Sequence, residues 1–300
     1  MNLAPIILFV YNRPQHALKT LEMLQKNDLA SQSELFIFAD GAKNQNDDQK
    51  IREVRKIIRK AKDFKKIKIT EQNQNLGLKN SIIKGVAEII KKSKKVIVLE
   101  DDILTSPYFL NYMNQALEFY ENDKKIAMIG AWSPKNKNLN QDIYLTQRAC
   151  SWGWATWIDR FIQIDWEIKN ITKFFKNQKL QKQFNQRGYN LTDILKKQSE
   201  GKIDTWDIYW DFWQFKRQAF CLRPKHSLVK NIGTDGTGTH YKNKTEYQII
   251  FDKNFKPKLT QLNFNPKFDQ LFQNSLDKRN YLYYLVKIKN KIYEYFTNQH

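Results

Sequence analysis

Three hundred residues with 41% hydrophobic positions suffice for one large domain or two closely joined ones with a full core, which excludes a disulfide-stapled peptide or a collagen-like rod. Fifty-one Lys and Arg against 31 Asp and Glu leave a formal charge of +20, which calls for a polyanionic partner: nucleic acid, anionic lipid head groups or a phosphate-bearing substrate. Only ten of the basic residues are Arg, and this weakens the nucleic-acid reading, because base readout and bidentate phosphate clamps favour Arg. Two cysteines and four histidines are too few for a disulfide framework or a Cys/His zinc cluster, so the expected home is a reducing cytoplasm and any metal is held mainly by oxygen. The longest apolar run, Leu3 to Tyr11, falls far short of the roughly 20 residues that cross a bilayer, and no basic segment precedes it as a secretory signal requires.

The first half alternates strands and helices. Pro5 to Val10 reads as a buried strand, and Tyr11-Asn12-Arg13-Pro14 turns into a helix with Asn12 as its cap and Leu18, Leu21 and Leu24 on one face. Leu35 to Ala39 is a second strand ending at Asp40-Gly41, followed by a helix from about Asp47 to Lys62. Ile67 to Thr70 is a third strand; Gln74-Asn75-Leu76-Gly77 turns into a helix carrying Ile82, Ile83, Val86, Ile89 and Ile90. Val96 to Leu99 is a fourth strand that runs into Glu100-Asp101-Asp102. This alternation predicts a parallel sheet covered on both faces, whose ligands sit at the carboxyl ends of the strands. No G-x-G-x-x-G follows the first strand and no Walker loop occurs, so a dinucleotide-binding or P-loop enzyme is not expected.

All eight tryptophans lie between Trp132 and Trp213, more than a parallel sheet needs, and suggest a cleft for a sugar or other ring. Beyond about Lys244 the chain reads as polar and irregular until Arg279, after which Tyr281, Leu285, Ile288, Ile292 and Tyr295 form one helical stripe.

Three consecutive acids at the end of a buried strand repel one another and resist desolvation, so a divalent cation is their best explanation. On an extended chain Glu100 and Asp102 point to one side and Asp101 to the other, which lets one acid hold metal while another meets a ribose.

Taken in order, Tyr11-Asn12-Arg13-Pro14, Phe38-Ala39-Asp40-Gly41, Asn75-Leu76-Gly77 and Val98-Leu99-Glu100-Asp101-Asp102 resemble the nucleotide-sugar half of GT-A glycosyltransferases. They are most similar to bacterial family 2-like enzymes related to N-acetylglucosaminyltransferase I. Ala149 to Trp157, Gly201 to Trp210 and Asn231 to His240 resemble acceptor-side blocks of the same group. The resemblance implies an α/β, Rossmann-like GT-A fold with a mostly parallel sheet, an acceptor-side subdomain and a C-terminal helical tail. The expected divisions are a nucleotide-sugar half (1–130), an acceptor and catalytic half (131–243) and an extension with an amphipathic helix (244–300).

It implies inverting, Mn²⁺- or Mg²⁺-dependent transfer from a nucleotide-diphosphate sugar, a UDP-sugar, to a hydroxyl of a growing surface glycan or glycolipid. Donor contacts would come from Asn12, Arg13, Asp40, Gly41, Asn75, Gly77, Glu100 and Asp101, and metal contacts from Asp102 and His240. Which acid of Glu-Asp-Asp touches the ribose stays open. Inversion needs a base opposite the leaving diphosphate. Asp207 and Asp204 are the candidates; Asp207 is preferred as base and Asp204 is placed at a helix start. Trp152, Gly153 and Trp154, in a loop entering a helix, are the acceptor candidates, while His16 and His226 carry no constellation.

The Lys-bearing C-terminal stripe either packs on the body or lies on an anionic membrane, which would make the protein peripheral on the inner face of the cytoplasmic membrane. The competing classes are a basic nucleic-acid-binding protein, for which no reading element is found, and a nucleotidyltransferase, which would carry a Gly/Arg-rich phosphate loop where Tyr11-Asn12-Arg13-Pro14 stands.

Overall fold

A computed structural model describes residues 2–136, 138–169, 171–236 and 248–276. His240 and the stripe beyond Arg279 lie outside the described residues.

The chain runs β1 (Ile6–Val10), α1 (Pro14–Gln25), β2 (Glu34–Ala39), α2 (Asp48–Ile58), β3 (Lys66–Glu71), α3 (Leu78–Ser93), β4 (Lys95–Glu100), β5 (Ile103–Thr105), α4 (Phe109–Phe119), β6 (Ile126–Gly130), β7 (Ile143–Thr146) and β8 (Trp154–Trp157). It continues through α5 (Ile158–Phe161), α6 (Ile171–Phe175), α7 (Gln178–Asn185), α8 (Leu191–Ser199), α9 (Asp207–Arg217), β9 (Phe220–Pro224) and β10 (Val229–Asn231). An eight-stranded sheet has the order β3-β2-β1-β4-β8-β6-β9-β7. The first four strands are parallel, as the alternating pattern predicts. Every residue of β1 is buried, as it must be when helices cover both faces of a central parallel strand.

Beyond β4 the sheet is mixed, because β8 enters antiparallel between β4 and β6 and β7 closes the edge antiparallel to β9. The segment 154–157 is therefore a strand rather than part of a loop entering a helix. Likewise 222–233 is two strands in two sheets: β9 joins the large sheet, and β10 pairs with β5 in a separate two-stranded one.

The register aligns the strand ends. Val10 stands opposite Ala39, Ala39 opposite Glu71, and Phe9 opposite Glu100. The polar residues that follow β1, β2 and β4 are thus delivered to one edge. The β5–β10 ladder, which pairs Ile103 with Asn231, lays the loop after β10 over the same edge, where Ile232 N donates to Asp102 O at 2.9 Å.

Residues 266–276 are helical rather than irregular, and they belong to the body. Phe272 is buried, Asp269 accepts from Gln147 N at 2.9 Å, and Gln273 donates to Arg187 O at 2.6 Å. His226 packs on the Phe255 ring at 4.7 Å with a buried Nδ1 that has no hydrogen-bond partner among the described residues. Burial, then Lys225, holds its pKa below the usual histidine value. A depressed folded pKa means the unfolded chain takes up the proton first, so this contribution to stability is complete above about pH 6.5 and is lost as pH falls. Comparison of Tm against pH for the wild type and His226→Asn should show the difference between them changing only below that pH.

Candidate active site

The aligned edge forms a cavity of about 360 Å³ lined by residues of β1, β2, β4, the turn before α3 and the loop after β10. Asp40 organises its far wall. Burial would leave this carboxylate costly, but Oδ1 accepts from Gly41 N (2.9 Å) and Leu76 N (2.8 Å), and Oδ2 from Gly77 N (3.0 Å) and Asn75 Nδ2 (3.1 Å). Charge-assisted bonds of this kind lock the Asn75-Leu76-Gly77 turn onto the end of β2. Gly41 has no room for a side chain, since a Cβ would stand 2.4 Å from Gln74 C, and Gly77 takes φ +76° at the start of α3. Asp40, Gly41, Asn75 and Gly77 are thus first a mutual scaffold; the free rim they offer a donor is narrower than the sequence suggests. Asp40→Ala strands four donors and should cost about 3 kcal/mol of stability, read as a Tm fall of several degrees.

Asn12 does not cap α1: its Nδ2 donates to Asp47 Oδ1 at 2.7 Å, and Tyr11 OH donates to Asp47 Oδ2 at 2.8 Å. Asp47 ties the loop after β1 to the start of α2. Burial, then that bond, raises the Tyr11 pKa to about 12.

Arg13 is the counter-ion of the acidic motif, with Nη2 2.5 Å from Asp101 Oδ1 and Nη1 3.0 Å from Asp102 Oδ2. Asp101 also accepts from Tyr11 N at 3.1 Å, so both its oxygens are engaged by protein and it acts as a strut for Arg13 rather than an open ribose ligand. Asp102 keeps Oδ1 without a hydrogen bond among the described residues. Burial raises the pKa of Asp102 against the pull of Arg13; burial and the Asp102 and Asp101 charges raise that of Glu100 well above the usual range. One guanidinium therefore leaves the cluster with excess negative charge.

A divalent cation fits this donor set: hard oxygens, an open Asp102 atom and a nearby Glu100 lining the same cavity. Among the described residues no group of three or more His, Cys, Asp or Glu could hold a metal alone, so such an ion would complete its shell with water and diphosphate oxygens. Gly233 closes over the cluster so tightly that a Cβ there would meet Asp102 Oδ2 at 2.0 Å. His16, which the sequence leaves without a role, fastens this loop from α1: its Nε2 lies 3.3 Å from Ile232 O and 3.1 Å from Asp235 Oδ2.

A second cavity, of about 440 Å³, adjoins the first, and Trp152 lines both. The segment 204–207 divides them. Asp204, expected at a helix start, precedes α9 in a loop, is exposed, lines the first cavity and pairs with Lys79 Nζ at 2.9 Å. Asp207 is itself the first residue of α9, receives the Thr205 hydroxyl and lines the second cavity. Asp211, one turn deeper, is buried and holds the cavity wall, accepting from Ala149 N at 2.7 Å and pairing with Arg148 Nε at 3.0 Å.

Two acceptor candidates are corrected. Trp154 is fully buried, stacked on Trp206 at 5.1 Å and edge-on to Trp210 at 5.7 Å, because β8 is an interior strand. Gly153 serves packing: its φ is +65°, a Cβ would stand 3.1 Å from Val229, and its carbonyl accepts from Ala131 N at 2.9 Å. Trp132, Trp157, Trp206, Trp210 and Trp213 are also buried, so the tryptophan cluster is mostly core. Sequence reasoning missed the roles of Asp47, Lys79 and Arg148 and left His16 without a constellation. Each acts on a partner distant in the chain, and no local spacing marks it.

The open α/β sheet thus carries this acid cluster at its carboxyl edge, with a second cavity beside it. The chain belongs to the GNT-I family, whose profile matches residues 1–155. That span covers the donor-side edge and ends before Asp204 and Asp207. No curated protein matches the chain.

Among solved structures it is similar to the mannosyltransferase PcManGT from Pyrobaculum calidifontis in complex with GDP-Man and Mn²⁺, at 11% identity over 53% of this chain and 48% of that one, with a TM-score of 0.37. A UDP-glucose pyrophosphorylase complexed with UDP-glucose is similar at 11% identity over 76% and 92% of the two chains, with a TM-score of 0.37. Staphylococcus aureus TarS 1-349 in complex with UDP is similar at 12% identity over 48% and 42%, with a TM-score of 0.32. The chain spans about half the length of the mannosyltransferase.

Proposed function

We propose that the protein transfers a sugar, with inversion, from a nucleotide-diphosphate sugar to a hydroxyl of a growing surface glycan: lipopolysaccharide, capsule or a lipid-linked oligosaccharide. The donor is a UDP-sugar, bound in the 360 Å³ cavity with its diphosphate over Asp102. The division of labour follows the chain: 1–130 for the donor, 131–243 for the acceptor and chemistry, 244–300 as an extension whose described part buttresses the acceptor wall. The carrying observation is the pair of cavities, one lined by the carboxylate cluster and Asp204 and one by Thr205 and Asp207, with Trp152 lining both.

Mn²⁺ or Mg²⁺, when bound, would neutralise the leaving diphosphate. Asp102 and Glu100 are the residues placed to hold it, with no part assigned to His240 beyond the family resemblance. Arg13, fixed by Asp101, lies beside the same diphosphate position. Asp207, which lines the second cavity, serves as general base and takes the hydroxyl proton while the hydroxyl oxygen attacks the anomeric carbon and the diphosphate leaves. Asp211, through Arg148 and Ala149, holds the loop that presents Trp152 to the acceptor ring.

The +20 charge would suit a nucleic acid, but a carboxylate-lined concave site does not suit its backbone. The proposed location is the cytoplasm, peripheral on the inner face of the cytoplasmic membrane; separately, among the described residues no helix is long and apolar enough to cross a membrane. The test is a thermal-shift screen of nucleoside diphosphates and nucleotide sugars with Mn²⁺, with duplex DNA as control. A shift above about 2 °C with a uridine nucleotide and metal, absent with DNA, is expected. No shift with any nucleotide would overturn the reading.

A further inference from the structure

A further cavity lies away from the acid cluster, a groove of about 950 Å³ between α6, α7 and the carboxyl-terminal half of α9. Its floor is Phe174, Phe212 and Phe215, and Lys173, Lys216 and Arg217 stand among its lining residues. None of these three cations is in an ion pair among the described residues, whereas Lys169, also at the groove, is paired with Glu167 at 2.9 Å. Lys216 Nζ instead lies 5.5 Å from the Phe212 ring. Between residues 162 and 190 the chain carries six Lys and Arg against two acids, a local balance of 6 − 2 = +4. Among the described residues the same stretch holds three of the five exposed large hydrophobic side chains, Ile162 at 64%, Leu180 at 37% and Tyr189 at 45% exposure. Leu180 is in the groove wall, and Ile162 precedes its Asp165 by three residues.

Cations alone would suit any polyanion. Cations beside outward-facing Ile and Leu and over a phenyl floor suit a ligand that is anionic at one level and apolar just beneath it. A soluble polyanion or a nucleic-acid backbone has no use for the exposed aliphatic side chains.

We propose that this groove is a docking surface for an anionic membrane, with phospholipid phosphates over Lys173, Lys216 and Arg217 and with Leu180 and Ile162 entering the interfacial region. The helix that forms one wall also carries Asp207 at its other end. At 1.5 Å per residue, Phe215 lies about 12 Å along α9 from that carboxylate, so a docked protein presents its acceptor cavity near the lipid surface. This last step rests on the glycolipid reading of the acceptor; docking itself does not. It places the contact on the folded body rather than on the C-terminal stripe alone.

The test is flotation of the full-length protein with phosphatidylcholine vesicles, with or without phosphatidylglycerol. The wild type should bind the phosphatidylglycerol vesicles and release them at high salt. Lys173→Glu with Lys216→Glu should lower the partition coefficient at least tenfold, and Leu180→Glu several-fold, with Tm and the nucleotide-induced thermal shift unchanged. Lys287→Glu with Lys289→Glu should retain binding through the groove. The proposal is overturned if wild type ignores anionic vesicles, if the groove variants bind as wild type does, or if the C-terminal variant alone removes all binding. It is equally overturned if the groove variants abolish a concentration-dependent dimer while leaving lipid binding intact, which would assign the face to a second copy of the chain. The nucleotide shift, measured on the same samples, keeps failure of docking distinct from failure of the transferase reading.

Discussion

Asp102→Ala is expected to abolish metal-dependent nucleotide binding and turnover together. Among the described residues the side chain offers an open carboxylate oxygen at the carboxyl edge of β4, next to Glu100, while Asp101 is committed to Arg13 and Tyr11. Without Asp102, the remaining Arg13–Asp101 pair cannot hold a divalent ion, and a diphosphate would face Glu100 unscreened. Stability should change little, because burial already makes the Asp102 charge unfavourable in the folded state. A group whose folded pKa is raised contributes stability at low pH and loses it as pH rises, so at neutral pH its removal takes little away. Calorimetric titration of a nucleoside diphosphate with and without Mn²⁺, beside Tm, separates the two effects. Full activity in excess EDTA, or an unimpaired variant with normal Tm, would remove the metal from this site.

Asp207→Asn should lower kcat by about 10² to 10⁴-fold, the usual worth of a positioned base, while donor Kd stays near wild type. The amide keeps the shape and the bond from the Thr205 hydroxyl but has no basic oxygen at neutral pH. Asp204→Asn should be milder in kcat and should act on the donor side, since that residue lines the first cavity and answers Lys79. Determining kcat and donor Kd for both variants decides the assignment. A silent Asp207→Asn beside an inactive Asp204→Asn would reverse it.

The two aspartates also show where sequence reading stops. Three residues apart, they look like neighbours on one helix, and no pattern says that the helix starts between them. The backbone turns at Thr205 and Trp206, so Asp204 opens into one cavity and Asp207 into the next. The tryptophans teach the same lesson from the other side. Their concentration is visible in composition, but whether an aromatic ring meets a ligand or the core depends on which strand it rides, and β8 is inserted between β4 and β6 by long-range pairing.

What the sequence determined by itself is the first half of the sheet: four short strands alternating with amphipathic helices, the turn residues that follow them, and an acid cluster where β4 ends. These are local properties, because strand burial, helical periodicity and turn chemistry act over a few residues. What only the tertiary structure decided is the partnership of those residues. Asp40 is consumed by a turn 35 residues away, Asp101 is neutralised by Arg13 from another strand end, and His16 holds a loop more than 200 residues further on. The same holds for the mixed outer sheet and for residues 266–276, which supply Phe272 and Leu276 to the second cavity. A carboxylate's chemistry follows from what neutralises it and what water reaches it, and both are set by contacts between segments whose separation along the chain carries no pattern.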